Sequence, residues 1–244
     1  MGGLLDYMYR GLRWKGRAVL DAGTGAGQTT AELARRVAAA GGGRIISVDR
    51  DPESFELAIR RLGAGRELVE FVAADLTKLP LPDNSIDTVV STSTMCAINT
   101  RPLAVLGTLQ EFYRVLKPGG RLIIKDEHPT NCGSPGTQLA CRRWRLYKAL
   151  AHLTGQAHYE ELEPEALVHA AASTGFVNLA WRSFPGGPLS SRVMDEWALA
   201  TREMARSLEG PAKTWFYQAI DDVMTDFRQN GGDFPPQYVI RGWA

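Results

Sequence analysis

The chain lacks the cysteine content of a protein stabilised by disulfides. Its 244 residues include three cysteines, Cys96, Cys132 and Cys141, which are too few for a disulfide framework and show no paired zinc-ligand spacing. We expect small buried side chains in a reducing compartment. Three thiolates are also able to bind a thiophilic substrate such as arsenite, although nothing in their spacing demands it.

Long apolar runs and an excess of one charge are also missing. No stretch is long enough to span a bilayer and no charged-then-apolar leader stands at Met1, so we expect a cytoplasmic protein without a membrane partner. The formal net charge is +1, which argues against nucleic acid as the partner. A small-molecule substrate fits this composition, and a homodimer stays open.

One local stretch, Arg142 to Lys148, combines cations with the aromatic residues Trp144 and Tyr147. Such a segment is able to contact phosphates or an acidic substrate. The alternative, which we favour, is a helix whose basic face is solvated while Trp144 and Tyr147 pack inward.

The most informative segment is an apolar strand, from Val19, that runs into a turn with glycine at 23, 25 and 27. Glycine allows a ligand to approach bare backbone, and a helix predicted over Thr29 to Ala40 would point its first N–H groups at an anion there. The dinucleotide fingerprint G-x-G-x-x-G needs glycine where Gln28 stands, whereas the pattern D-x-G-x-G-x-G is complete.

Two further predicted strands each end on an acid. The strand Arg44 to Asp49 places a carboxylate where such folds bind ribose hydroxyls. Asp49 or Asp51 is alternatively a cap of the helix that starts near Pro52, and both roles can coexist with Asp51 as the cap. The third strand, residues 68–76, closes on an acid and an apolar residue.

Alternating strands and helices continue along the chain. A fourth strand is predicted at Ser85 to Thr92, a helix from Pro102 to Leu116, and a fifth strand from Arg121 after the turn Lys117-Pro118-Gly119-Gly120. A helix over 163–175 and strands over 176–184 and 236–243 follow. This alternation predicts a parallel sheet with helices on both faces.

In this order, the motifs between Arg17 and Pro129 resemble the class I S-adenosylmethionine (SAM) dependent methyltransferases. The resemblance implies an α/β fold with a doubly wound, mostly parallel seven-stranded sheet and an antiparallel C-terminal strand. It implies SAM as cofactor, S-adenosylhomocysteine as product, and in-line methyl transfer to a small, partly apolar molecule. The cofactor-binding residues it implies are Asp21, Gly23, Thr24, Gly25, Gly27, Gln28, Asp49, Arg50, Asp75, Leu76, Ser91 and Thr92, with Asp49 on the ribose and Asp75 with Leu76 on the adenine.

The predicted organisation is a single methyltransferase domain, 1–244. We expect a helical segment at 1–16 over the cofactor, with Tyr7 or Tyr9 on its methionine end or packed on the sheet. A lid insertion at 131–160 and a helical cap at 185–233 are expected to set substrate choice. Most cap aromatics are expected to form its core.

A general base, where the acceptor needs one, is predicted among Glu127, His128 and His158, because histidine titrates near neutral pH. No metal site is predicted. The motifs of nucleic-acid base methylation are missing after the fourth strand, where the sequence is Ser91-Thr92-Ser93-Thr94-Met95. Two alternatives remain, a catalytically silent SAM-binding module and an NAD-dependent oxidoreductase.

Overall fold

The computed structural model describes residues 3–129, 135–156 and 158–244, in which helices and strands alternate as predicted. Cys132 lies outside these residues. The helices are α1 (Leu4–Tyr9), α2 (Gln28–Ala39), α3 (Glu53–Leu62), α4 (Met95–Ile98), α5 (Ala104–Val115), α6 (Pro135–Thr154), α7 (Pro164–Ser173), α8 (Ser191–Ala205) and α9 (Gly210–Asn230), with a 3-10 turn at Gly63–Leu68. The strands are β1 (Ala18–Ala22), β2 (Arg44–Asp49), β3 (Val69–Ala73), β4 (Ile86–Thr92), β5 (Leu116–Glu127), β6 (Val177–Phe184) and β7 (Gln237–Trp243).

The seven strands form one sheet in the order β3-β2-β1-β4-β5-β7-β6. The pairs β1–β2, β1–β4, β2–β3 and β4–β5 are parallel. The last strand is antiparallel to β5, because the N–H of Gly119 donates to the carbonyl of Ala244 while the N–H of His128 donates to that of Pro236. The predicted α/β class and its antiparallel C-terminal strand are confirmed.

The start of β5 differs from the prediction. We expected Lys117 to Gly120 to be a turn before the strand, but the strand already begins at Leu116. The register with β4 shifts there, since Ile86 pairs with Leu116 and Thr88 with Arg121. The glycines are therefore an irregularity within the strand, where an added Cβ at Gly120 would lie 2.7 Å from the carbonyl oxygen of Lys117.

The chain forms two compact units. The first comprises Met1–Asp126, Leu162–Ser183 and Tyr238–Ala244, and the second Glu127–Glu161 and Phe184–Gln237. The core of the first unit is made by buried sheet residues and the apolar face of α5. The strand β1 is buried along its whole length, as expected for a central parallel strand covered on both faces.

In the second unit, α6, α8 and α9 pack against one another around an apolar cluster. Phe216 is buried in that cluster and Trp197 and Tyr217 pack against it, which confirms the expectation for most cap aromatics; Trp215 is exposed. The insertions predicted at 131–160 and 185–233 fall within this unit, while the single-domain organisation stays a prediction.

The basic stretch on α6 is only partly solvated. Arg142 is exposed and lies 2.6 Å from Asp226, but the side chain of Arg143 is buried, with its guanidinium 5.7 Å from the Phe234 ring centroid. Burial lowers the pKa of Arg143 to about 10. The expectation of a wholly solvated basic face is therefore wrong for Arg143. Among the described helices, none combines the length and apolarity needed to cross a bilayer.

Candidate cofactor-binding site

The glycine turn connects the carboxyl end of β1 to the first residue of α2. The N–H groups of Gly23 and Thr24 donate to the carbonyl of Val48, at 2.9 and 3.1 Å, so the turn is hydrogen-bonded to the end of β2. The N–H of Gly27 donates to the carbonyl of Thr24 at 2.9 Å. These bonds fix the turn at the edge of the sheet where ligands bind in open α/β folds.

Each glycine of the turn has a positive φ, but the space beside each differs. At Gly23 an added Cβ would meet Thr94 Oγ1 at 2.2 Å, and at Gly27 it would meet Ala58 Cα at 2.4 Å. At Gly25 it would meet nothing within 4 Å. Gly23 and Gly27 are therefore required by packing, whereas Gly25 leaves its space open for a ligand.

Asp21 is fully buried at the end of β1. Its Oδ2 accepts hydrogen bonds from Thr30 Oγ1 at 2.6 Å and from Ser47 Oγ at 2.8 Å, and Ser47 Oγ also lies 2.7 Å from Thr24 Oγ1. Burial raises the pKa of Asp21 to about 7, against the opposing effect of these hydrogen bonds. Its Oδ1 is buried without a partner among the described residues.

Asp49 joins the turn to the segment after β2. Its carboxylate accepts the N–H of Gly25 at 2.9 Å and the N–H of Asp51 at 3.0 Å. Asp51 in turn accepts the N–H of Glu53, the first residue of α3, at 3.0 Å. Asp51 therefore caps the helix, and Asp49 is held beside the open space at Gly25.

Asp75, just after β3, is held by a residue that sequence reasoning missed. The Arg101 guanidinium donates to its Oδ2 at 2.7 Å and to its Oδ1 at 3.3 Å, and Thr77 donates to Oδ1 through both N–H and hydroxyl. These donors, with Arg101 first, hold the pKa of Asp75 well below its usual range. The predicted adenine ligand is thus preoriented, while the side chain of Leu76 is buried in the apolar core.

The remaining predicted cofactor residues lie around the same edge. Gln28, the first residue of α2, and Arg50 are exposed. Ser91 is buried on β4, next to Ala22 of β1, and its Oγ has no partner among the described residues. Thr92 Oγ1 lies 2.5 Å from Thr29 Oγ1.

Ser47 and Thr30, which support Asp21, were not predicted. A hydroxyl inside the apolar strand Ile45-Ile46-Ser47-Val48 is a signal that could have identified Ser47. Arg101 gave no such signal, because 26 residues separate it from Asp75.

The N-terminal helix brings Tyr9 close to Asp21. The Tyr9 ring is buried against Trp14, at 5.6 Å between centroids, and the Arg36 guanidinium lies 4.3 Å from it. Burial, and then the charge of Asp21, raise the pKa of Tyr9. The Arg241 guanidinium lies 5.5 Å from the ring of Tyr7. A role of either tyrosine on the cofactor stays a prediction.

These residues fit S-adenosylmethionine. The open space at Gly25, the buried oxygens of Asp21 and Ser91 that have no partner among the described residues, and the carboxylates of Asp49 and Asp75 lie at or just after the ends of β1, β4, β2 and β3, at one sheet edge. Carboxylates suit the ammonium, ribose hydroxyls and adenine amino group of that cofactor, which all donate hydrogen bonds.

The predicted base candidates all belong to the second unit. Glu127 ends β5 and accepts a hydrogen bond from Gln237 Nε2 at 3.4 Å, and His128 follows it. His158 lies 3.4 Å from Glu160 and its ring centroid is 4.2 Å from that of His152. Asp126, also near this strand end, is buried and accepts the N–H of Cys96 at 3.1 Å.

Comparison with known proteins also indicates a methyltransferase. The family described as "Methyltransferase domain" matches residues 20–124. A demethylmenaquinone methyltransferase of Deinococcus radiodurans is 33% identical over 176 residues, 66% of this chain and 68% of that protein. One of Clavibacter sepedonicus is 37% identical over 138 residues, 56% of this chain but only 50% of the relative's length.

A solved SAM-dependent methyltransferase of Methanosarcina mazei is 18% identical, with a TM-score of 0.62 over 99% of this chain and 98% of its own. That likeness shows the fold. Fold, site and relatives together define a SAM-binding transferase. The chain belongs to the class I SAM-dependent methyltransferase family, and its cofactor is SAM. This family assignment argues against the dinucleotide alternative, as does Gln28 in place of glycine.

Proposed function

We propose that the chain transfers the methyl group of SAM to a small, partly apolar acceptor. The observation that carries the proposal is the turn at Gly25, where an added Cβ would meet nothing within 4 Å and where the backbone N–H donates to Asp49. The quinone-type acceptor in the names of the Deinococcus and Clavibacter relatives supports the apolar character, and demethylmenaquinone is the first acceptor to test.

The chemistry that the bound cofactor supplies is an electrophilic methyl carbon on a sulfonium, displaced in line by a nucleophile. Residues of the first unit would hold the cofactor: Asp21 would bind its ammonium, Asp49 its ribose hydroxyls and Asp75 its adenine amino group. Holding reacting atoms about 3 to 3.5 Å apart supplies roughly 7 to 11 kcal/mol of the barrier, so alignment is the protein's main contribution.

We propose that Glu127, His128 or His158 accepts the acceptor's proton where that acceptor is protonated. An imidazole with a pKa near neutrality removes a proton at neutral pH and releases it to water afterwards. Glu127→Gln, His128→Ala and His158→Ala, compared one by one, identify the base as the variant that lowers kcat without changing the Kd of SAM.

An exposed aromatic group in the second unit supports an apolar acceptor. Tyr159 is 43% exposed, and its ring centroid lies 6.5 Å from those of Trp144 and Tyr147. Planar aromatic faces bind apolar rings. We propose that this group contacts the acceptor; Tyr159→Ala then raises the KM of the acceptor and leaves the Kd of SAM unchanged.

Two measurements test the proposed function. Thermal unfolding with SAM, S-adenosylhomocysteine or NAD, each near 100 times its dissociation constant, detects binding as about 2.7 kcal/mol of added stability. Stabilisation by NAD alone contradicts the proposal. Transfer of labelled methyl from SAM across a panel of quinones, other small apolar molecules and nucleic acid then identifies the acceptor. Binding without transfer to any of them supports the silent module.

A further inference from the structure

Two of the four histidines of the chain lie side by side in the second unit, next to a carboxylate. His152 is in the last turn of α6, and His158 and Glu160 are in the segment that follows it. One ligand atom from each of the three side chains lies within 4.8 Å of the others.

Both histidines turn Nε2 toward the same oxygen. His158 Nε2 lies 3.4 Å and His152 Nε2 4.0 Å from Glu160 Oε1. Both distances exceed the usual hydrogen-bond range of about 2.7 to 3.2 Å. A tetrahedral metal with bonds of about 2.1 Å separates its ligands by about 3.4 Å, which the His158 distance matches, while the His152 distance of 4.0 Å is longer.

Lys148 forms its ion pairs without contacting Glu160 Oε1, the oxygen that both histidines face. Its Nζ lies 2.5 Å from Glu161 and 3.5 Å from Glu160 Oε2, the oxygen that the histidines do not face. Glu160 therefore presents Oε1 to the imidazoles and Oε2 to the ammonium. A carboxylate whose two oxygens face different groups is suited to bind a cation through one of them.

We propose that His152, His158 and Glu160 form a binding site for a divalent transition-metal ion of the zinc type. Two imidazoles and one carboxylate are ligands that Zn²⁺ prefers, whereas Mg²⁺ and Ca²⁺ prefer oxygen ligands alone. The side chain of His152 is 63% exposed and that of His158 19%, so an ion reaches the site from solvent and water completes its coordination.

The site has two consequences for this unit. The ion ties the end of α6 to residues 158–160, closing a short segment of chain, which stabilises the second unit. It also assigns His158 a ligand role in place of a general base, because the nitrogen bound to the metal has no lone pair left to accept a proton.

The test titrates Zn²⁺ into chelator-treated protein in competition with a chromophoric chelator, with Mg²⁺ as the negative probe. We expect one equivalent of Zn²⁺ and no Mg²⁺. His152→Ala and His158→Ala should each raise the Kd of Zn²⁺ at least about tenfold, since even lost support of a ligand costs 10- to 100-fold. His169→Ala, which removes an exposed histidine of α7, is the matched control and should bind as the unaltered chain does.

Co²⁺ in place of Zn²⁺ gives a second readout, because its visible absorption bands become stronger when the hydrated ion enters a four-coordinate protein site. The bands should weaken in Glu160→Gln and disappear in His158→Ala. Metal-free unfolding curves check that each variant folds. The proposal is overturned if both histidine variants bind Zn²⁺ as tightly as the unaltered chain, or if the unaltered chain takes up no Zn²⁺ at micromolar concentration.

Discussion

At the scale of single residues, Asp21 shows the clearest conflict between burial and charge. Its carboxyl is fully buried, with one oxygen unpartnered among the described residues, and burial raises its pKa to about 7 from 3.8. The folded protein thus holds a proton there that the unfolded chain releases. The cofactor ammonium, which we propose Asp21 to bind, would remove this conflict by pairing with the charged form.

The stability of the cofactor-free protein is therefore expected to depend on pH through Asp21. A raised folded-state pKa contributes stability that is present below about pH 4 and is lost as pH rises through about 7. The loss amounts to at most about 4 kcal/mol, at 1.36 kcal/mol per pKa unit. Urea unfolding at pH 5 to 8 measures it as the difference between the unaltered chain and Asp21→Asn.

Asp21→Asn keeps the shape of the side chain and does not titrate, so it is the reference. We expect the unaltered chain to lose stability relative to this variant between pH 5 and pH 8. A difference that stays constant over that range shows that Asp21 does not titrate differently in the two states.

Arg101 is expected to support cofactor binding through Asp75. Asp75 Oδ1 accepts three hydrogen bonds, but Oδ2 accepts one, from Arg101, and an oxygen with two lone pairs can accept another. Arg101→Gln removes the bidentate clamp and should raise the Kd of SAM roughly threefold to tenfold, on the order of one hydrogen bond. Calorimetry measures this change.

Arg60→Gln is the control for Arg101, since Arg60 forms an exposed helix pair with Glu56 on α3. It should leave the Kd of SAM unchanged. An equal Kd in Arg101→Gln and the unaltered chain means that Arg101 does not orient the adenine ligand.

At the scale of elements, two glycines of the turn are expected to have different functions: Gly25 in cofactor binding and Gly27 in the packing of α2 against α3. A Cβ at Gly25 points into open space, whereas one at Gly27 collides with the backbone of α3 at Ala58. Gly25→Ala should cost about 1 kcal/mol of stability for its left-handed backbone and raise the Kd of SAM at least tenfold. Gly27→Ala should lower the Tm far more, because α2 and α3 must separate.

The pair is measured by thermal unfolding without ligand and by calorimetry with SAM. If Gly25→Ala binds SAM as tightly as the unaltered chain, the cofactor does not lie over Gly25. If Gly27→Ala keeps the Tm of the unaltered chain, the contact with Ala58 is relieved by a small shift.

Sequence periodicity located most elements of the first unit. The end of β2 at Asp49 and the start of α2 near Thr29 agree with the structure within a residue, because strand and turn residues there have strong local preferences. The start of β5 could not be predicted in this way, since Gly119 is fixed by pairing with Ala244, 125 residues further along the chain. Short α4 has too few residues for a periodic pattern.

At the scale of the whole molecule, the predicted site residues divide between the two units. The cofactor residues from Asp21 to Thr92 all belong to the first unit, and Glu127, His128 and His158 belong to the second. Local sequence patterns located Asp21, Asp49 and Asp75 at or just after the ends of β1, β2 and β3. They did not find Arg101 or the pairing of His152 with His158, which depend on tertiary contacts.

This division makes amide hydrogen exchange a test of the cofactor site in the intact chain. S-adenosylhomocysteine should slow exchange in residues 22–28, 49–51 and 75–77, since these loops follow β1, β2 and β3 at one sheet edge and ligand binding suppresses their local opening. NAD at the same concentration should leave them unchanged. Protection confined to α8 and α9 would instead place the cofactor in the second unit and remove Asp21, Asp49 and Asp75 from its site.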